Sequence, residues 1–375
     1  MKTTPDTGWQ KMKTVPDTLW VFLAIVAAGV SVRPAQTQSP APVRFPVAPA
    51  VSPLGARNDL PNPYQPGASW GQLPGGRKWG STAGIAIARN GNIWALDRCG
   101  QSGAGGTSCA GSPLDPILEF DPSGKFVKGF GAGLFVSPHK LTIDKDGNIW
   151  VADNGIAEGK GQQVTKFDKD GKLLLTLGKA GVAGPGLDTF DQPTEVAVAP
   201  NGDIFVADGH GNMPTANARI VKFDRTGKFI KTWGKKGTAA GEFDCPHTLA
   251  FDSQGRLFVG DRQNNRIQIF DQNGGFISEW KQFGRPSGLF IDGNDVLYVA
   301  DSESRDGNAG YGYNPGARRG IRIGSARDGS VQSFVPDPAP YPPTGSTSPE
   351  GIAANDRGTI YGAEFTMDVK RYLKK

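Results

Sequence analysis

Apolar and polar residues alternate in short runs along most of the chain, and each run is cut off by a turn rich in Gly, Asp and Asn. A period of two over so few residues predicts β-strands, and Asp-Gly or Asn-Gly between two such runs predicts antiparallel hairpins. One phrase recurs: a proline, an alternating strand, a turn, a second strand ending in Asp, a loop, a third strand ending in Phe-Asp, a Gly-Lys turn and a fourth strand. Six copies can be followed. They begin at GIAIARNGNIWALDRCG, PHKLTIDKDGNIWVADNG, PTEVAVAPNGDIFVADGHG, PHTLAFDSQGRLFVGDRQNNRIQIF, PSGLFIDGNDVLYVADSES and PEGIAANDRGTIYGAEF.

Prolines at positions 138, 193, 246, 286 and 349 mark the starts of five copies, and the variable spacing falls in the loop between the second and third strands. A four-stranded unit at this period buries its sheet faces only against its neighbours, which specifies a β-propeller. The expected fold class is all-β, a six-bladed β-propeller over residues 63–375. The sixth copy reaches Lys375 after its third strand. The stretch SWGQLPGGRKWGS, Ser69 to Ser81, has the aromatic and Gly-turn character of the fourth strands LLLTLG and FIKTWG. It is expected to pair with the last blade and close the ring, removing the exposed edge of a linear array.

The first residues differ from the rest. Lys11 and Lys13 precede the apolar run LWVFLAIVAAGVSV, and RPAQTQSPAP follows. That order predicts a secretory signal over residues 1–38, with no membrane span once it is cleaved; an uncleaved anchor is the alternative. Residues 39–62 are rich in Pro and Ala and predict an extended linker. The expected location is periplasmic or secreted. In that setting Cys99 and Cys109, ten apart in CGQSGAGGTSC, are expected to form a disulfide, leaving Cys245 as a buried thiol. The formal charge of +5 falls to +3 without the signal, too mild and dispersed for a nucleic-acid partner. A monomer is expected.

In a propeller the innermost strand of each blade lines the central channel, so the residues that follow the repeat prolines converge on one mouth. These slots hold His139, Thr194, His247, Ser287 and Glu350, with Ala83-Gly84 in the first copy. The chain has three histidines. Two of them occupy this slot, and His210 follows the Asp of VADGHGN in the third copy. His139, His247 and Glu350 stand on alternate blades, and two imidazoles with a carboxylate make an open site for zinc or ferrous iron. Each residue taken singly is as readily a core histidine or a surface acid; it is the shared slot that argues for a ligand. Arg98 and Arg262 directly follow the Asp that ends the second strand and suit a clamp on a carboxylate; salt bridges to a neighbouring blade's Asp are the alternative. Asp97, Asp153, Asp208, Asp261 and Asp301 recur at one position and predict a structural role as acceptors for backbone donors.

Across residues 80–375, the phrases PHKLTIDKDGNIWVAD, PTEVAVAPNGDIFVADGHGN and PHTLAFDSQGRLFVGDRQNNRIQIF resemble the NHL-repeat propellers, and within them the peptidyl-α-hydroxyglycine α-amidating lyases. The resemblance implies a six-bladed zinc enzyme in which His139 and His247 match two of three zinc ligands. It implies that Arg98 and Arg262 match two substrate-binding arginines. Two positions depart from the pattern. Glu350-Gly351 stands where the family has His-Asp, so the acid that helps bind a structural calcium is lost and calcium is not counted among the expected cofactors. His210 stands where the family has its proposed tyrosine base.

The expected function is therefore an exported metal-dependent lyase or hydrolase, zinc first and iron second, with His210 as general base or fourth ligand. Its substrate is expected to be a small molecule or peptide bearing a carboxylate, and different from the lyase's own. Two other readings compete: a non-catalytic propeller that binds a protein, peptide or glycan, and a calcium-dependent lactonase of the gluconolactonase kind. The lactonase wants a Glu, Asn and Asp cluster rather than two His and two Arg. The loop Asp306 to Arg319, with Tyr311 and Tyr313, is the expected lid over the mouth.

Overall fold

A computed structural model describes residues 50–100, 108–211, 216–306, 310–339 and 348–375. The segment read as a signal, residues 39–49 of the linker and residues 101–107, 212–215, 307–309 and 340–347 lie outside the described residues. The rest belongs to one compact unit, Val47–Lys375. It consists of six four-stranded antiparallel sheets. The innermost strands are Thr82–Ile87, Pro138–Ile143, Pro193–Val198, Pro246–Phe251, Gly288–Ile291 and Gly351–Ala354. In blades one to five the four strands follow one another in sequence from the channel outward.

The second strands explain why the sheets stack. Ile93–Asp97, Ile204–Asp208 and Leu257–Asp261 are buried along their whole length, because both of their faces meet another blade. Each core cluster is shared across a blade boundary. Phe205 and Ile220 of blade three, for example, pack with Leu249, Val259 and Phe270 of blade four. The recurrent aspartates sit at the ends of these strands and hold the channel-side turns. Asp153 accepts from the backbone N–H groups of Val136 and Ser137, at 2.8 and 2.7 Å, just ahead of its own blade's inner strand. Asp261 does the same for Asp244 at 2.7 Å, and Asp301 for Arg285 at 3.1 Å.

In the sixth sheet the outer position is taken by Ala68–Ser69, paired antiparallel with Asp368–Tyr372 through Ala68 with Arg371 and Ser69 with Lys370. Only the first residue of the Ser69–Ser81 stretch is in that strand. The aromatic residues after it do a different job. Trp70 packs on Tyr361 of blade six at 4.9 Å and on Phe120 of blade one at 5.6 Å, between ring centroids. Trp79 reaches Phe120 at 5.5 Å. The last described part of the linker also docks: Ala56 is buried, and the Arg57 carbonyl accepts from Arg322 Nε of blade five at 2.8 Å.

Cys99 and Cys109 form the disulfide, and Cys245 is free and buried. Among the described residues no helix is long and apolar enough to cross a membrane.

Trp70 spans the joint between the first and last blades, so its truncation tests what holds the ring shut. Trp70→Ala is expected to cost about 3–5 kcal/mol of unfolding free energy in a denaturant melt. Leu187→Ala, on an exposed side chain, is expected to stay within about 0.5 kcal/mol. A Trp70→Ala loss as small as the control's would mean that this contact does not carry the closure.

Candidate metal centre

The slot residues owe their direction to a local irregularity in the inner strands. Pro138 pairs with Asp153 and Lys140 with Ala152, so His139 is the extra residue of a bulge. The same shift falls between Pro246 and Thr248, at His247, and between Pro193 and Glu195, at Thr194. A bulge re-aims one side chain without ending the ladder. Here it turns His139, Thr194 and His247 away from the normal alternation at the channel end of their blades.

Each histidine is then fixed by the slot of the next blade. His139 Nδ1 lies 2.8 Å from the carbonyl of Thr194, and His247 Nδ1 lies 2.7 Å from the carbonyl of Ser287. A carbonyl only accepts, so Nδ1 carries the proton in both rings and each Nε2 presents a lone pair. Both Nε2 atoms are buried and neither makes a hydrogen bond. They face one carboxylate oxygen: Glu350 Oε1 is 3.6 Å from His139 Nε2 and 3.2 Å from His247 Nε2. Burial lowers both histidines, helped by the charge of Arg98 at His139 and of Arg262 at His247; His139 falls to about 4. The Glu350 carboxylate also lies 3.6 Å from Arg262 Nη1, a fixed positive charge that favours its ionised form against the opposing effect of burial.

Three acceptors therefore converge with no proton between them. The donor types and spacing fit a divalent cation, since two ligand atoms at about 2.1 Å from a tetrahedral ion stand about 3.4 Å apart. His210 completes the group, the four ligand-type atoms lying within 4.8 Å of one another. Its ring centroid is 4.8 Å from that of His139 and 5.2 Å from that of His247.

The structure separates the two arginines that sequence put in one role. Arg262 is almost fully buried and already engaged. Its Nη2 donates toward His210 Nε2 at 3.3 Å, and its Nη1 lies 3.4 Å from Glu303 and 3.6 Å from Glu350. Burial alone would lower its pKa, but the neighbouring charges, Glu303 foremost, raise it above the ordinary value. Arg98 donates through Nε to the Pro138 carbonyl at 3.1 Å and lies 5.7 Å from the Phe365 ring. Among the described residues no hydrogen bond is made by its Nη groups. Arg98, buried like Arg262, is thus the one of the two whose Nη donors are unengaged among the described residues. His210 is lowered well below its ordinary pKa by burial first and Arg262 second. His210 therefore lacks the near-neutral pKa that an unperturbed imidazole brings to general-base work.

Sequence reasoning missed a second layer at the mouth. Glu303 accepts from Arg285 at 3.1 Å and from the Tyr311 hydroxyl at 2.7 Å. The Tyr311 ring lies 5.0 Å from the Arg285 guanidinium and 5.8 Å from that of Arg262. So the part of the Asp306–Arg319 loop that is described does bring Tyr311 over the arginines. Lys140 was missed as well. Its signal was available: a lysine directly after the slot histidine, where the other copies have Gly84, Glu195, Thr248, Gly288 and Gly351.

A model of the NHL repeat matches residues 243–270. The chain is 36% identical over 264 residues to peptidyl-glycine alpha-amidating monooxygenase A of Xenopus laevis, covering 65% of this chain and 25% of that protein. It is 36% identical over 198 residues to a probable peptidyl-alpha-hydroxyglycine alpha-amidating lyase of Caenorhabditis elegans, covering 49% of this chain and 54% of the relative. It therefore spans a quarter to about half the length of these curated relatives. A solved gluconolactonase of Xanthomonas campestris shares the fold, with a TM-score of 0.55 at 14% identity over 84% of this chain and 100% of that one. The chain carries an NHL repeat in a six-bladed propeller and is similar to the amidating lyases.

In the metal-free protein His139 is expected to stay neutral well below its ordinary pKa of 6.5 and to take up a proton only near pH 4. Because the folded value is the lower one, the stability it contributes is fully present above pH 6.5 and is lost as the pH falls through about 4. A titration of the imidazole carbon-bound protons by NMR checks this. A midpoint for His139 near its ordinary value would overturn it.

Proposed function

We propose that the protein is an exported metal-dependent lyase or hydrolase, holding zinc through His139, His247 and Glu350 and acting on a small molecule or peptide that bears a carboxylate. The observation that carries this reading is the meeting of two unprotonated, buried Nε2 atoms with one carboxylate oxygen. Without a cation the three would repel. Ferrous iron is the competitor that the same donor set accepts.

A cation held there supplies Lewis-acid polarisation of a substrate hydroxyl or carbonyl oxygen. The chain's own groups do the rest. Arg98 offers its Nη donors to the substrate's carboxylate, with Phe365 behind the guanidinium. Arg262, pinned by Glu303, is a fixed positive charge beside Glu350 and aligns the His210 ring. Burial and Arg262 keep His210 neutral, the form in which it accepts a proton, but make it a weak base. It therefore suits a proton already made acidic by polarisation of the oxygen that carries it. Neutral imidazole has one free lone pair and Arg262 lies 3.3 Å from it, so His210 takes up a proton or a metal only when that contact opens, and the variant below decides between general base and fourth ligand. The similarity to amidating lyases supports the reaction class. Glu350 in place of a third histidine and His210 in place of tyrosine support a substrate other than the lyase's own.

Metal analysis of the purified protein tests the centre. Stoichiometric zinc or iron is expected in the wild type and is expected to be lost in His139→Ala/His247→Ala; a wild type that stays metal-free after reconstitution would sink the proposal. His210→Ala separates its two roles. Retained metal with turnover of a carboxylate-bearing ester substrate reduced by about 10²–10⁴ is the result expected of a proton acceptor. Loss of metal would make His210 a ligand.

A further inference from the structure

The residues that follow the slot residues form their own ring: Gly84, Lys140, Glu195, Thr248, Gly288 and Gly351. The glycines mark where blades come closest. A Cβ on Gly84 would meet the Leu141 backbone N at 2.7 Å, one on Gly288 would meet the Glu350 carbonyl at 2.5 Å, and one on Gly351 would run into the Ala83 carbonyl. With no side chains there, the backbone carbonyls on the side of blades five and six stand bare. The Lys140 side chain crosses from blade two to reach them. Its Nζ donates to the Glu350 carbonyl at 2.6 Å and to the Ser287 carbonyl at 3.0 Å, and the residue is only 4% exposed. Burial lowers the Lys140 pKa and raises that of Glu195, and each of the two favours the charged form of the other; Glu195 Oε2 is held by the Leu249 N–H at 2.9 Å.

Both carbonyls belong to the candidate metal centre. The Ser287 carbonyl is the one that accepts from His247 Nδ1, and the Glu350 carbonyl is on the backbone of the carboxylate ligand itself. We propose that Lys140 is a positioning residue, a built-in cation across the channel that fixes the backbone at Ser287 and Glu350 and through it the aim of the His247 imidazole and the Glu350 carboxylate. Its effect on metal rests on the metal-centre reading above; its effect on His247 does not. Two carbonyl dipoles that point at the same buried spot lose their shared donor when the ammonium is removed. His247 then loses the acceptor that sets its tautomer, whereas His139, whose Nδ1 uses the Thr194 carbonyl, keeps its own.

The test uses Lys140→Met in the full chain, with thermal melting to show that it is folded. Competition with a chelator is expected to give cobalt binding about 10–100-fold weaker than in the wild type, the range usual for removal of a group that orients a metal ligand. In the metal-free proteins, ¹⁵N-histidine NMR is expected to show the His247 Nδ1–H signal lost in the variant and the His139 signal kept. Unchanged cobalt affinity with both signals intact would overturn the proposal, as would loss of both signals together, the mark of general loosening. If the wild type binds no cobalt, the metal reading fails and the NMR comparison alone decides the role of Lys140. Should Lys140→Met not fold, Lys140→Gln, which keeps a donor and removes the charge, is expected to show the same selective loss of the His247 signal.

Discussion

The constraint on which the rest of the structure depends is how closely six inner strands approach at the channel. Backbone carbonyls of one blade come within hydrogen-bonding distance of side chains from another, and at Gly84, Gly288 and Gly351 there is no room for even a Cβ. A histidine in this crowd is tolerated only if its Nδ1–H finds an acceptor, because an unpaired buried donor is costly. The neighbouring slot supplies that acceptor, and in doing so it leaves Nε2 bare. The geometry that satisfies the fold is thus the geometry that prepares a ligand. Thr194 and Ser287, which carry no metal chemistry themselves, decide the tautomer of the two residues that do. Closure of the ring matters for the same reason, since the carbonyl-to-histidine contacts run from blade to blade.

Charge is distributed with a similar division of labour. Two neutral imidazoles and a carboxylate form the centre, while Arg98, Arg262 and Lys140 approach from three blades. Arg262 is held by Glu303, and Arg285 and Tyr311 hold Glu303 in turn. Such a chain of partners rigidifies a buried cation, which is what a site needs from a charge meant to stay in place. Among the described residues Arg98 is anchored through its Nε alone, with the ring of Phe365 beside it, which leaves its Nη donors for the carboxylate proposed above.

The blades were legible because a repeat multiplies a weak signal: the short strand ILEF says little, but six copies of one phrase place every sheet. The slot argument carried further, since repeat equivalence turned His139, His247 and Glu350 from residues hundreds of positions apart into neighbours. What escaped was whatever the repeat does not encode. Glu303 and Tyr311 sit on a loop without counterparts in other copies, and the reach of Lys140 depends on glycines two and three blades away across the channel. The pKa of His210 depends on burial and on Arg262, which no local pattern reports. The strand that fills the outer place of the sixth sheet is two residues long, too short to be read from alternation, although the tryptophans beside it were visible.

The pair Glu350-Gly351 shows how such non-local terms settle a substitution. The resemblance to amidating lyases leads one to expect an acidic residue after the third ligand. The Ala83 carbonyl stands where any side chain on residue 351 would begin, so in this packing an acid is excluded by sterics before its charge matters. The same stretch of backbone meets the Lys140 ammonium at the Glu350 carbonyl. A cation covalently attached to blade two occupies the environment of these carbonyls, and it needs no carboxylate from position 351 because Glu195 already supplies one. Glycine at 351 and lysine at 140 therefore make sense together: the first lets the strands close, and the second satisfies the oxygens that the closure brings in.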